Sequence, residues 1–269
     1  MIPHFICLMP IWNHRHETIC NAIQCFDDQT WPHKTLFMID DRPREARFYN
    51  EGVIALGYSP LRPSTWSMRH VLLSSDTKYP TMPDKYNAAL YVMRKMQWPH
   101  HVPTHVSIWD DDDGFSPRHL ELAAKAYADN PDYLWTYPDT VFSTFGGVLR
   151  TEPSGGRFWS SMTFHISCLD AWNGYFPIRK AIGQDQMFLG ELRSHYGDPA
   201  TPDLPTYVYR WGAEGEHHSS GIATGFTCEQ WWDKSPYSVS TEPFVPKYDQ
   251  YYLETIKEMQ AGWPTSIAP

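Results

Sequence analysis

The chain has 269 residues, 42% hydrophobic and 15% aromatic with 12 tryptophans, which is enough apolar material for a substantial core and excludes disorder as the main state. Its 22 Lys and Arg against 31 Asp and Glu leave a formal net charge of −9. That balance excludes the broad basic footprint of a non-specific nucleic-acid or anionic-membrane binder. An acidic chain still has one route to a phosphorylated ligand, through a bridging metal ion. The apolar stretch 5–12 is too short to span a bilayer and is interrupted by Pro10, and no charged leader with a small-residue cleavage site precedes it. Cys7, Cys20, Cys25, Cys168 and Cys228 are scattered without a CxxC pair. The expectation is a reduced, cytoplasmic protein with no membrane helix.

In chain order, residues 4–9 form a short apolar run that predicts a buried strand, and Ile19, Ala22, Ile23 and Phe26 follow at helical spacing. Residues 36–39 predict a second strand, stopped by the polar turn Asp40-Asp41-Arg42-Pro43. Tyr86, Ala89, Leu90 and Met93 mark one face of a helix, with Asp84 as its N-cap. Residues 106–109 predict a third strand that runs into Asp110-Asp111-Asp112-Asp113. Ser116-Pro117 reads as a cap with proline at the first helical position, and Leu120, Ala123, Ala124 and Tyr127 continue that helix.

From about Trp135 onward glycine, proline and tryptophan become frequent. Strands are expected at 158–164 and 206–211, a helix at 186–195 stopped by Gly197, and a closing helix near 251–260. Gly146-Gly147 and Gly155-Gly156 read as turns. Strands alternating with helices imply an α/β fold with a mainly parallel sheet flanked by helices and an elaborated C-terminal third. With no repeat and no convincing linker, a single domain over 1–269 is expected. In such sheets ligands bind beyond the carboxyl ends of the strands, where both acidic clusters fall.

Each cluster has two readings. The run Asp110 to Asp113 is either a solvated acidic turn or a seat for a hard cation that neutralises mutual repulsion. Its place directly after an apolar strand favours Mg²⁺ or Mn²⁺ held by one or two of the acids, with a diphosphate supplying further ligands. Asp40-Asp41 is an ordinary strand-to-loop turn or an acceptor for a nucleotide base or ribose. Asp185 is a helix N-cap or, with Trp172 and Phe176 nearby in sequence, a carboxylate whose raised pKa suits a general base. His217 and His218 are surface residues or metal ligands, and His14-Arg15-His16 meets a phosphate or begins a helix. Walker, GxGxxG and GxSxG sequences are missing, which argues against the corresponding hydrolases and dehydrogenases.

Taken in order, these segments resemble the GT-A family of nucleotide-sugar-dependent glycosyltransferases, and within it the family 2 group. Pro10-Ile11-Trp12-Asn13, Gln29-Thr30-Trp31-Pro32 and Ile39-Asp40-Asp41 are similar to that family's opening strand, helix and second strand. Trp109-Asp110-Asp111-Asp112-Asp113 with Pro117 is similar to its DxD segment, and Gly183-Gln184-Asp185 to the later Glu-Asp pair. Tyr209-Arg210 with His217, His218 and Ser220 is similar to its closing element. The sequence departs from the family where Gln184 stands for Glu and where Lys85-Tyr86-Asn87 stands for Ala-Arg-Asn.

The resemblance implies a GT-A fold whose residues 1–135 bind the nucleotide sugar and whose residues 136–269 bind the acceptor. It implies a soluble, Mn²⁺- or Mg²⁺-dependent inverting enzyme that moves a sugar from a nucleotide diphosphate donor to an acceptor hydroxyl. Pro10, Trp12, Asn13, Arg15, Asp41, Asp110 and Asp111 would bind the nucleotide sugar, with Trp12 and Asp41 on the base and Asp110 or Asp111 on the ribose. Asp112 would bind the metal with His217 or His218, and Asp185 would be the base. The acceptor is left open between a glycan, a small molecule and a hydroxymethylated DNA base of the kind phage enzymes modify. A non-catalytic nucleotide-sugar or carbohydrate binder and a nucleotide-diphosphate hydrolase are the rival readings.

Overall fold

A computed structural model describes residues 2–12, 16–43, 70–75, 78–96, 104–145, 148–177, 184–210 and 238–243. The expected closing helix near 251–260 and the Gly146-Gly147 turn lie outside the described residues.

The central sheet is built on β1 (Phe5–Pro10), which pairs in parallel with β2 (Lys34–Asp40) on one side and β4 (His105–Ile108) on the other. A strand not expected from the sequence, β3 (His70–Ser74), adds in parallel to β2. Antiparallel β9 (Thr163–His165) and then β6 (Trp135–Thr136) complete the order β3-β2-β1-β4-β9-β6. Because side chains alternate along a strand, each parallel strand feeds two cores. Phe5, Cys7, Met9, Leu36 and Met38 pack with α1 (His16–Asp27) and α3 (His119–Asp129). Ile6, Leu8, Phe37, Ile39, Val106 and Ile108 pack on the opposite face with α2 (Met82–Lys95) and α4 (Gln184–Tyr196). This is why the strands read as unbroken apolar runs rather than as alternating ones. Gly197, at φ 76°, follows α4, and its N–H donates to the Arg193 carbonyl at 3.0 Å, the stop expected for that helix.

A second sheet comes mostly from the later half of the chain. Its order is β11-β8-β7-β10-β5, formed by β5 (Gly114–Phe115), β7 (Thr140–Phe145), β8 (Val148–Pro153), β10 (Tyr207–Arg210) and β11 (Ser238–Pro243). β10 begins one residue after the expected 206–211 strand, and its described part ends at Arg210. The strand expected over 158–164 is a 3-10 turn, Trp159–Ser161, followed by β9. Ser161 causes the difference: its N–H and its hydroxyl both bond the Phe158 carbonyl, at 3.1 and 2.5 Å, which closes a local turn before the strand can start.

Two helix starts also shift. α2 is capped by Thr81, whose hydroxyl accepts from the Asp84 N–H at 3.3 Å and donates to the Asp84 carboxylate at 2.7 Å, so Asp84 is the third helical residue and not the cap. α3 begins at His119 and not at Pro117. The Pro117 carbonyl is engaged by the Thr30 N–H at 2.8 Å, and Gln29 reaches across to serve both segments. Its amide donates to the carbonyls of Cys25 (2.9 Å) and Ser116 (2.6 Å) and accepts from the Leu120 N–H at 3.0 Å. Gln29 therefore satisfies a backbone donor in the first turn of α3 from across the core. No described helix is long and apolar enough to cross a membrane.

Trp109 anchors the turn that carries the acids. Its N–H bonds the Leu8 carbonyl (2.9 Å), its indole N–H bonds the Ala22 carbonyl (2.9 Å), and its ring stacks on Phe115 at 3.7 Å and 13°. The four aspartates are thus bracketed by two rings in face contact beneath them. Replacing this fully buried residue, Trp109→Ala, should cost about 3–5 kcal/mol in urea unfolding. A loss under about 1 kcal/mol would show that the bracket is not structural.

Candidate functional site: an acidic edge of the sheet

The carboxyl ends of β1, β2 and β4 bring Trp12, Asp40 and Asp41, and Asp110 to Asp113 to one edge. Each acid is held separately. The Asp40 carboxylate accepts from the Arg42 guanidinium (3.0 and 2.8 Å) and from the Arg42 backbone N–H (2.9 Å). Asp41 forms a buried ion pair with Lys85 from α2 at 2.7 Å and accepts from the Tyr79 N–H at 2.8 Å. Lys85 also donates to the Ile11 carbonyl at 3.0 Å, so one ammonium ties the end of β1 to the end of β2. The Trp12 ring lies 5.2 Å from the Lys85 ammonium and 5.3 Å from that of Lys78, a cation–π arrangement, while the Trp12 N–H donates to Asp111 at 2.7 Å.

The Ser160 hydroxyl donates to Asp110. Asp113 accepts from the Tyr207 hydroxyl and from the Arg210 N–H (3.3 Å), and the Arg210 guanidinium donates to the Asp112 carbonyl at 3.1 Å. Burial first, and then the neighbouring Asp113 and Asp112, raise the Asp110 carboxyl well above the usual carboxylate range. Asp110 and Asp112 are half-buried, whereas Asp111 and Asp113 are buried.

Asp185 lies in the first turn of α4, inside the helix and not at its cap. Burial raises its pKa, against the lowering effect of the Gln186 N–H and its own. What links it to the acidic turn is Tyr86 of α2. The Tyr86 phenol is pushed well above its ordinary value by burial and then by Asp110, Asp111, Asp112 and Asp185, so it feels both groups at once. Of the residues expected from the sequence, Trp12, Asp41, Asp110, Asp111 and Asp112 gather around the first turns of α2 and the ends of three strands. Asp185 belongs to α4, whose Phe188 packs on Phe176 at 4.9 Å and through it on Tyr86 at 5.2 Å. Pro10 closes β1 in register with Ile39. Asn13, Arg15, His217 and His218 lie outside the described residues.

Lys85, Tyr86, Ser160 and Tyr207 also belong to this edge; in the sequence Lys85 and Tyr86 show only as a departure from the family's Ala-Arg-Asn segment, and Ser160 and Tyr207 carry no site signal. Tyr86 reads there as one more apolar position of a helix face, and Ser160 falls in a segment read as a strand.

The donor set suits a hard divalent cation. The acids are oxygen ligands, crowded and partly dehydrated, and a positive charge would relieve their repulsion. Among the described residues no group of three or more His, Cys, Asp or Glu side chains converges as a complete metal cage. A cation bound by one or two carboxylates and completed by a ligand's phosphates needs no such cage.

Together these elements define a mixed α/β protein with a mostly parallel central sheet, helices on both faces and an acidic edge at the strands' carboxyl ends. No protein-family model and no curated protein matches the chain. Solved structures do. S. aureus TarS 1–349 matches with a TM-score of 0.55 at 13% identity, over 78% of this chain and 61% of that one. The same TarS fragment in complex with UDP-GlcNAc matches with a TM-score of 0.55 at 13% identity, over 83% and 62%. Its complex with UDP matches with a TM-score of 0.55 at 13% identity, over 77% and 60%. The chain thus spans about three-fifths of the length of the TarS 1–349 structures. At this identity the likeness is one of fold, and it agrees with the fold class that the sequence resemblance implies.

The raised Asp110 carboxyl has a consequence for stability. In the window between its ordinary and its raised pKa, the native state holds a proton that the unfolded chain has released, so stability falls as pH rises through that window. Asp110→Asn removes this dependence and keeps an acceptor for Ser160. In EDTA its melting temperature should exceed the parent's at pH 8, and the advantage should shrink toward pH 4. The same offset at both pH values would contradict this.

Proposed function

We propose that the chain is a metal-dependent, inverting glycosyltransferase that moves a sugar from a nucleotide diphosphate donor to an acceptor hydroxyl. The observation that carries this reading is an acidic turn joined, through the packed rings of Tyr86, Phe176 and Phe188, to the helix that bears Asp185, a half-buried carboxylate of raised pKa, in a fold shared with TarS. TarS has been solved with UDP and with UDP-GlcNAc, which makes these the first donors to test.

Trp12 and Asp41 stand at adjacent strand ends, where a nucleotide base would lie. Asp110 and Asp111 are next to them, for the ribose. Asp112, half-buried like Asp110, would hold Mn²⁺ or Mg²⁺, with His217 or His218 as a further ligand. When bound, the cation supplies positive charge that stabilises the departing diphosphate. Asp185 takes the proton from the acceptor hydroxyl as that oxygen attacks the anomeric carbon from the face opposite the diphosphate. The sugar–phosphate bond breaks, the new glycosidic bond forms with inversion, and the proton resides on Asp185. A pKa raised by burial suits this task, because it makes the carboxylate a stronger base at neutral pH. The proposal includes a nucleotide-sugar half over 1–135, an acceptor half over 136–269 and a cytoplasmic location.

Asp185→Asn keeps the shape of the side chain and removes its ability to accept a proton. The reaction to follow is single-turnover UDP release from UDP-GlcNAc in Mn²⁺, with a mixture of oligosaccharides and hydroxymethylcytosine-containing DNA as acceptors. The variant should transfer roughly two to four orders of magnitude more slowly while binding UDP like the parent. The parent's rate should rise with pH through the raised pKa of Asp185, and the variant should lose that limb. Near-parental transfer by the variant would reject Asp185 as the base.

A further inference from the structure

Tyr86 is fully buried on α2, with its ring 5.3 Å from Trp159 and 5.2 Å from Phe176. Three attachments fix these rings. Lys85, one residue before, is tied to Asp41 and to the end of β1. Asn87, one residue after, exchanges two hydrogen bonds with the Phe176 backbone, at 3.1 and 2.7 Å. Ser160, beside Trp159, donates to Asp110. The Tyr86 ring is therefore held between a segment bonded to the acidic turn and the segment that leads on toward α4 and Asp185.

Its hydroxyl has no hydrogen-bond partner among the described residues. Other tyrosines in the interior do not share this condition. Tyr127 bonds Thr163 at 2.9 Å, Tyr137 accepts from the Phe158 N–H at 3.2 Å, and Tyr207 donates to Asp113. A buried hydroxyl with no acceptor costs free energy that phenylalanine, with the same ring, would not. The group makes physical sense if an acceptor arrives with a ligand. Burial and the surrounding carboxylates keep the phenol protonated, so its O–H is available as a neutral donor.

We propose that the Tyr86 hydroxyl donates a hydrogen bond to an oxygen of the sugar unit in a bound nucleotide sugar, holding that sugar between the acidic turn and Asp185. This inference rests on the donor reading above. In that reading the acidic turn would hold the cation that meets the diphosphate's charge, whereas an uncharged sugar oxygen on the side nearer Asp185 is suited by a neutral donor. Because the hydroxyl is enclosed, contact requires a neighbour to move aside when the sugar binds, and of the Trp159 and Phe176 rings packed on Tyr86, Trp159, edge-on at 69°, is the more exposed.

Tyr86→Phe tests this in the full chain with UDP and UDP-GlcNAc, each titrated calorimetrically in Mn²⁺. The variant should melt at or above the parent's temperature. It should bind UDP within about twofold of the parent and UDP-GlcNAc about tenfold or more weakly, as expected for a lost hydrogen bond to substrate. Any other pattern overturns the inference: equal losses would place the contact on the nucleotide or phosphates, and no loss would make Tyr86 a packing residue. A parent that binds neither probe overturns the donor reading itself, and this inference with it.

Discussion

Negative charge collected at one edge of a sheet has to be restrained before it can be useful, and much of this structure serves that end. Asp40, Asp41 and Asp110 to Asp113 would repel one another if left to water and thermal motion. Five of the carboxylates instead have fixed partners, namely Arg42 for Asp40, Lys85 of α2 for Asp41, Ser160 for Asp110, the Trp12 backbone for Asp111 and Tyr207 of β10 for Asp113, while Arg210 of β10 holds the turn by the Asp112 backbone carbonyl. Removing one partner of a buried pair such as Lys85–Asp41 typically costs about 3–5 kcal/mol, because the other charge stays behind. The partners therefore hold β1, β2, α2 and the second sheet in one arrangement, and the site is organised before any ligand arrives.

Aromatic packing supplies the rigidity that hydrogen bonds alone would lack. Trp109 and Phe115 stack beneath the acidic turn and lock its two ends together. Tyr86, Trp159 and Phe176 form a second group, which joins the turn to the approach to Asp185. The two groups belong to the cores on opposite faces of the central sheet, so the edge between them is supported from both sides.

The sequence makes part of this plain. Apolar runs at β1, β2 and β4 and the helical spacing of Ile19, Ala22 and Phe26 are strong because both faces of the sheet are covered. The acidic ends are equally visible as four adjacent aspartates after a strand, although the run alone reads equally as a solvated turn. What the sequence hides is cross-chain. Gln29 as the amide that serves α3, Lys85 as the counter-charge of Asp41 and Ser160 as the donor to Asp110 act on residues 91, 44 and 50 positions away, and no local pattern reveals such pairs. The start of α3 is missed because Ser-Pro is a good local helix start, but here the Pro117 carbonyl is committed to Thr30. Of the second sheet only β10 is visible, as the expected 206–211 strand; β3, β5, β7, β8 and β11 escape notice because they are short or rich in polar residues and gain stability from their neighbours rather than from their own composition.

The central claim is that the acidic turn takes a nucleotide diphosphate through a divalent cation. Its most direct test is a calorimetric titration of UDP into the full chain, in Mn²⁺ and in EDTA, for the parent and for Asp112→Ala. The account predicts that Mn²⁺ tightens UDP binding by at least about tenfold, the effect of adding one well-placed charge–phosphate contact. It also predicts that Asp112→Ala loses this gain while melting at or above the parent's temperature. Equal affinity in Mn²⁺ and EDTA, or a variant that keeps the full metal-dependent gain, would contradict it.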